Sequence, residues 1–175
     1  MIHSIGGPGD TGILGIKGGK IETKNAVVLV KSACADITID GAEMVSKSGV
    51  LIQSIINDDK NAAKVNGQKV SGIKAALKNM KLEGNIIHDD PDRPKIITFT
   101  DTTLKGKIKN ASILLDGGSK WTATEDSNVT LLGTTDVKKI DAIKGVTITA
   151  AAGEGCTLKG IYSLAGGGTL KIKAD

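Results

Sequence analysis

"ITFTDTTLKGKI", residues 97 to 108, decides the fold. Ile97 and Phe99 alternate with Thr98 and Thr100, which gives a strand one apolar face and one hydroxylated face. A polar bend at Asp101 to Thr103 then leads to Leu104 and a second alternating run, "LKGKIK" (104 to 109). The unit is strand, bend, strand. An amphipathic helix would instead repeat its apolar residues every three to four positions.

The same alternation recurs on both sides of this stretch, in "DITID" (36 to 40), "KIITFT" (95 to 100), "ASILLD" (111 to 116), "NVTLL" (128 to 132), "GVTIT" (145 to 149) and "TLKIK" (169 to 173). Bends like that at Asp101 separate Ile39 from Met44, Leu77 from Leu82 and Leu132 from Val137. One inward apolar residue per unit gives the series Ile16, Ile39, Leu77, Phe99, Leu115, Leu132, Ile148 and Leu164. By subtraction its intervals are 23, 38, 22, 16, 17, 16 and 16. Repeats of that length mark a solenoid whose coils stack similar strands, and the 38-residue interval is expected to hold an extra coil near "VLIQSII" (50 to 56). "KVSGIKAALKNMKL" (69 to 82) has a helical composition, but it carries Gly72, lacks a cap and ends in the same strand-bend-strand unit.

Composition agrees with many short strands. The 175 residues, 39% hydrophobic, suffice for one domain with a sizeable core. Aromatics are only 2%, one each of Phe99, Trp121 and Tyr162, so the interior must be layered from aliphatic side chains. Twenty-three glycines beside three prolines supply tight turns. The net charge of +4 is spread along the chain, lysine replaces the arginine forks of a nucleic-acid reader, and no aromatics interleave with it. That excludes nucleic acid as a partner. No apolar run approaches the roughly 20 residues of a membrane span, and the Met1 end lacks the regions of a signal peptide. A strand running almost to Asp175 suggests a segment of a longer protein. Cys34 and Cys156 stand in neither a CxxC nor a metal-ligand spacing, and both read as buried free thiols.

"GGKIETKNA" (18 to 26), "ITIDGAEMVSKSG" (37 to 49), "AALKNMKLEGNI" (75 to 86), "ITFTDTTLKGKI" and "DGGSKWTATEDSNVTLLGTTD" (116 to 136) resemble coils of the right-handed parallel β-helix regions of bacterial surface proteins. Those regions are adhesin-like or autotransporter-passenger-like, with relatives labelled as carbohydrate-binding. The resemblance spans residues 13 to 173 and implies an all-β fold: a single-stranded right-handed parallel β-helix of eight to nine coils. Residues 1–12 would form a lead-in and 13–175 the β-helix domain. The implied setting is extracellular or cell-surface, with a surface glycan or host protein as partner and no direct membrane insertion.

Reactive groups concentrate in "HDDPDRP" (88 to 94). Asp89, Asp90 and Asp92 could offer oxygens to calcium, Arg93 could clamp an anion, and His88 could shuttle a proton. β-Helix lyases gather such groups from successive strands, whereas these come from one loop stiffened by Pro91 and Pro94. The expectation is an exposed turn with at most weak calcium affinity and no other cofactor. "INDDKN" (56 to 61) lacks the glycine and distal glutamate of an EF-hand loop, and "GPGDTG" (7 to 12) lacks the preceding strand and following helix of a phosphate cradle. No GxSxG elbow is present, and Asp40, Asp101 and Asp116 at the bends are expected to serve the turns themselves. A non-catalytic display or spacer domain is therefore the expected role. The alternative is a polysaccharide-binding or polysaccharide-cleaving domain, with Trp121, Tyr162 and Arg93 as the ligand-contacting residues.

Overall fold

The computed structural model describes residues 2–3, 7, 9–56, 64–134 and 136–173. In chain order the first strands are β1 (Ile2–His3), β2 (Thr11–Lys17), β3 (Lys20–Thr23), β4 (Val28–Lys31), β5 (Cys34–Asp40), β6 (Glu43–Ser46) and β7 (Val50–Ile55). Next come β8 (Ile73–Lys78), β9 (Lys81–Glu83), β10 (Asn85–Asp89), β11 (Lys95–Thr100), β12 (Thr103–Lys105) and β13 (Ile108–Asp116). The last are β14 (Lys120–Ala123), β15 (Ser127–Leu132), β16 (Ile140–Ala142), β17 (Thr147–Ala152), β18 (Ile161–Ser163) and β19 (Thr169–Ile172). The described residues contain no α-helix, only a 3₁₀ turn at Val137–Lys139. The chain is all-β.

Strands pair with partners one repeat away. Thus β2 pairs with β5, β5 with β8 and β8 with β11, all in parallel, while β3 pairs with β6 and β9 with β12. Among the named strands only β18 and β19 pair antiparallel. One sheet collects β2, β5, β8, β11 and β13 along with β4, β7 and β10; a second holds β9, β12, β14 and β16.

The register stacks like on like. Leu14, Ile37, Ala75, Ile97, Ile113, Leu131 and Ala152 are successive Cα partners, a ladder of seven rungs. Ile16, Ile39, Leu77, Phe99 and Leu115 form a second ladder two residues along, and Phe99 is fully buried in it. Val28, Ile52, Ile86 and Ile108 form a third. In the smaller sheet Leu82, Leu104, Trp121 and Ile140 are stacked and buried. Each ladder is one face of a period-two pattern, so a shift of one residue would turn a whole set outward.

Some expectations need correction. The 38-residue interval holds no extra rung: β5 pairs directly with β8, and β7 belongs to the run formed by β4, β7 and β10. Eight strands, β2, β5, β8, β11, β13, β15, β17 and β19, follow one another in parallel pairing. Leu132 is not in the Phe99 ladder; it pairs with Leu114, while its neighbour Leu131 is the buried residue. Ile148 and Leu164 are buried, as expected, though Ile148 pairs with Ser127 and Leu170 and Leu164 lies outside the strands. As expected, 69–82 is strand and not helix: it contains β8 and most of β9. Part of the 1–12 lead-in is also strand, since Ile2–His3 pairs with Val30 and Lys31. Cys34 is buried, Cys156 is half-buried, and both are free thiols.

Candidate binding cleft

Period two carries polar groups into the interior where β10 turns into β11. His88 has the parity of buried Ile86, and Lys95 that of buried Ile97 and Phe99, so both side chains face inward. His88, Asp90, Arg93 and Lys95 are all at most 5% exposed, and Ser54 beside them is fully buried. The chain 88–95 is therefore a turn with a buried lining.

Each buried group has a partner. Arg93 Nη1 donates to Asp90 Oδ2 at 2.9 Å, and the two side chains form an enclosed ion pair. The Asp92 amide donates to Asp90 Oδ1 at 3.2 Å, which closes the turn. Lys95 Nζ donates to Ser54 Oγ at 3.0 Å. His88 Nε2 lies 2.8 Å from the Arg93 carbonyl, which can only accept, so the neutral ring carries its proton on Nε2 and leaves Nδ1 as an acceptor. That Nδ1 is buried and has no hydrogen-bond partner among the described residues.

Burial dominates the electrostatics. Desolvation pushes the Lys95 ammonium down to about 7, against a smaller upward pull from Asp89. His88 is also held below its ordinary value, first by burial and then by the Lys95 charge. The Arg93 carbonyl, Asp90 and Asp89 oppose this in part. In both groups burial shifts the balance toward the neutral form.

A cleft of about 650 Å³ opens beside this turn. Its wall is His88, Asp89, Pro91, Arg93, Pro94 and Lys95, and its floor comes from β13, β15 and β17. The shape follows from the strand connections. β10 and β11 are separated by the 90–94 turn, whereas β13 runs from its pairing with β10 to its pairing with β11 through a single left-handed residue, Asn110 (φ 57°). A wide corner thus adjoins a tight one. Across the floor Ser112 pairs with Thr130, Thr130 with Ala151, and Asn128 with Thr149. The Asn128 amide donates to Asn110 Oδ1. The hydroxyls of Ser112, Thr130 and Thr149 make no hydrogen bond within the described residues.

The residues expected from sequence are placed unevenly. Asp89 is at the rim, where Lys109 Nζ approaches its carboxylate at 2.6 Å. Asp92 is exposed. Asp90 and Arg93 belong to the buried pair, so an exposed turn indifferent to its charges is not what forms. The three carboxylates do not form a metal-ligating group, and none is found among the described residues. Trp121 is fully buried, with its indole N–H donating to the Gly106 carbonyl at 2.8 Å, and has no face left for a sugar. Tyr162, on β18, is half-buried; its hydroxyl accepts from the Lys159 amide at 3.2 Å, and it does not line the cleft.

The bend carboxylates act locally. Asp101 accepts from the Gly118 amide and Asp116 from the Gly117 amide, each at 2.8 Å, while Asp40 accepts from the Asn79 side chain at 2.8 Å. Asp10 accepts from the Gly7 amide at 2.8 Å, a local turn in place of a phosphate cradle. Asn57, Asp58, Asp59 and Asn61 lie outside the described residues. Lys95, Ser54 and the floor hydroxyls were not singled out from sequence. The parity of Lys95 with Phe99 was the available signal; a floor assembled from three strands leaves none in any single segment. No helix of the described residues is long and apolar enough to cross a membrane. No family model matches the chain, and no curated protein or solved structure is significantly similar to it.

Proposed function

We propose that the chain is a right-handed parallel β-helix that serves as a rigid, non-catalytic display domain of a bacterial surface or secreted protein, adhesin-like in role. The observation that carries this reading is the in-register stacking of Leu14, Ile37, Ala75, Ile97, Ile113, Leu131 and Ala152, which lets each repeat bury its apolar face against the next. Such a stack gives stiffness without needing a reactive site. The polar groups fit the same reading. The hydroxyl of Ser54, the register partner of His88, is engaged by Lys95, and the His88 Nε2 proton is held by a backbone carbonyl, so Ser54 and His88 are not paired as nucleophile and base.

A surface glycan or host protein would be the partner, and no cofactor is required. The test is to present the intact chain to host cells and to an array of surface glycans while assaying the same glycans for cleavage. Retention without turnover is expected. A calcium-dependent unsaturated product would overturn the non-catalytic reading.

A further inference from the structure

We propose that the cleft beside the 88–95 turn is a binding site for an acidic oligosaccharide, with sugar hydroxyls on the floor and a uronate carboxylate at the Lys173 end. This goes beyond the display role and rests on the cleft alone. Three features of its lining carry the inference. The hydroxyls of Ser112, Thr130 and Thr149 are unengaged, stand on neighbouring strands about 4.8 Å apart, and can each donate and accept, as a polyol requires. Asn110 and Asn128 add amides at the same surface, held in place by their mutual hydrogen bond. His88, 5% exposed, also lines the cleft and keeps a buried Nδ1 acceptor without a partner among the described residues, which a ligand hydroxyl would satisfy.

Charge selects the acidic class. Within the lining Asp89 is paired with Lys109 and Arg93 with Asp90, so those charges cancel locally. Lys173 forms no ion pair among the described residues and leaves the cleft with a net positive end. Nucleic acid is disfavoured because no Phe, Tyr or Trp lines the cleft for base stacking. An extended peptide is disfavoured because the floor strands β13, β15 and β17 are each paired on both sides, leaving no free edge for strand addition.

The experiment titrates the ¹⁵N-labelled full chain with short oligomers of galacturonate, mannuronate and hyaluronan, with maltotriose as the neutral control. At least one acidic oligomer should shift the amides of Asn110, Ser112, Thr130 and Thr149 together. Ser112→Ala and Thr130→Val should each weaken that binding by up to about tenfold with the spectrum otherwise native. Lys173→Gln should weaken it by about threefold or more, and less so at high salt. Absence of shifts with all three acidic oligomers, shifts confined to other surfaces, or equal binding of maltotriose would overturn the proposal. Any of these results would leave the display reading standing, because adhesion and turnover of the intact chain test that reading separately.

Discussion

Lys95 occupies a column that is otherwise apolar: Ala35 and Ile73 precede it in register. Burying its ammonium costs free energy that a single serine hydroxyl does not restore, and this cost has a pH signature. The folded-state value of about 7 lies below the ordinary 10.5, so between those limits the unfolded chain binds a proton that the folded chain does not. Stability from this group therefore rises with pH across that window, by at most about 1.4 kcal/mol per unit, and is lowest below pH 7. Lys95→Met removes the dependence. Denaturation at pH 6 and at pH 9.5 should show the variant gaining on the parent at the lower pH and losing that advantage at the higher. An equal difference at both would mean that Lys95 stays charged in the fold. Asp90 makes the complementary case. Asp90→Asn removes a charged partner from the buried Arg93 and should cost about 3 to 5 kcal/mol, whereas Asp92→Asn, at an exposed position, should stay within about 0.5 kcal/mol. Equal urea midpoints for the two variants would refute the enclosed ion pair.

Corners, rather than strands, set how closely the elements stack. At Gly106 an added Cβ would sit 1.9 Å from the Gly84 carbonyl oxygen, and at Gly84 one would sit 2.9 Å from the Gly49 carbonyl oxygen. These glycines bring neighbouring backbones together where one strand run bends into the next. Gly106→Ala should destabilise by several times the ~1 kcal/mol of an ordinary glycine replacement, and should perturb the Trp121 fluorescence through the Gly106 carbonyl that its indole holds. Gly145→Ala is the control, because nothing lies within 4 Å of its added Cβ, though its positive φ brings a smaller backbone strain. Equal losses would remove the close-approach argument. Strands with clean alternation, such as "ITFT", were legible in the sequence because burial of one face is a local property. Register was less so. In "NVTLL" Leu131 shares the parity of Val129 and Leu132 that of Asn128 and Thr130, so alternation points to Leu131 as the inward residue. A spacing count that takes the last leucine of the run selects Leu132 instead, and pairing with Ile113 settles it for Leu131. The loop "HDDPDRP" misled for a related reason: its composition is that of a surface turn, yet its ion pair closes over an interior that no local pattern reports.

Over the whole molecule, parallel pairing at a regular repeat places residues distant in sequence in a fixed order. From Ile37 five steps through Ala75, Ile97, Ile113 and Leu131 lead to Ala152, roughly 24 Å at about 4.8 Å per step. A globular sandwich of the same strands would not keep that order. The free state of Cys34 and Cys156 agrees with it, since a bridge needs Cα atoms within about 7 Å. The display role and the cleft both depend on this stacking, because the cleft floor is three consecutive strands of it. Disulfide trapping measures it directly. In a chain with Cys34 and Cys156 replaced by serine, Ala76→Cys with Thr98→Cys joins adjacent rungs, and Ala76→Cys with Leu114→Cys skips one. The first pair should cross-link under mild oxidation in the folded monomer, as judged by non-reducing peptide mapping. The second, about 9.6 Å apart, should remain as free thiols. Cross-linking of the second pair, or failure of the first in a protein that is still folded, would contradict the stacked parallel register.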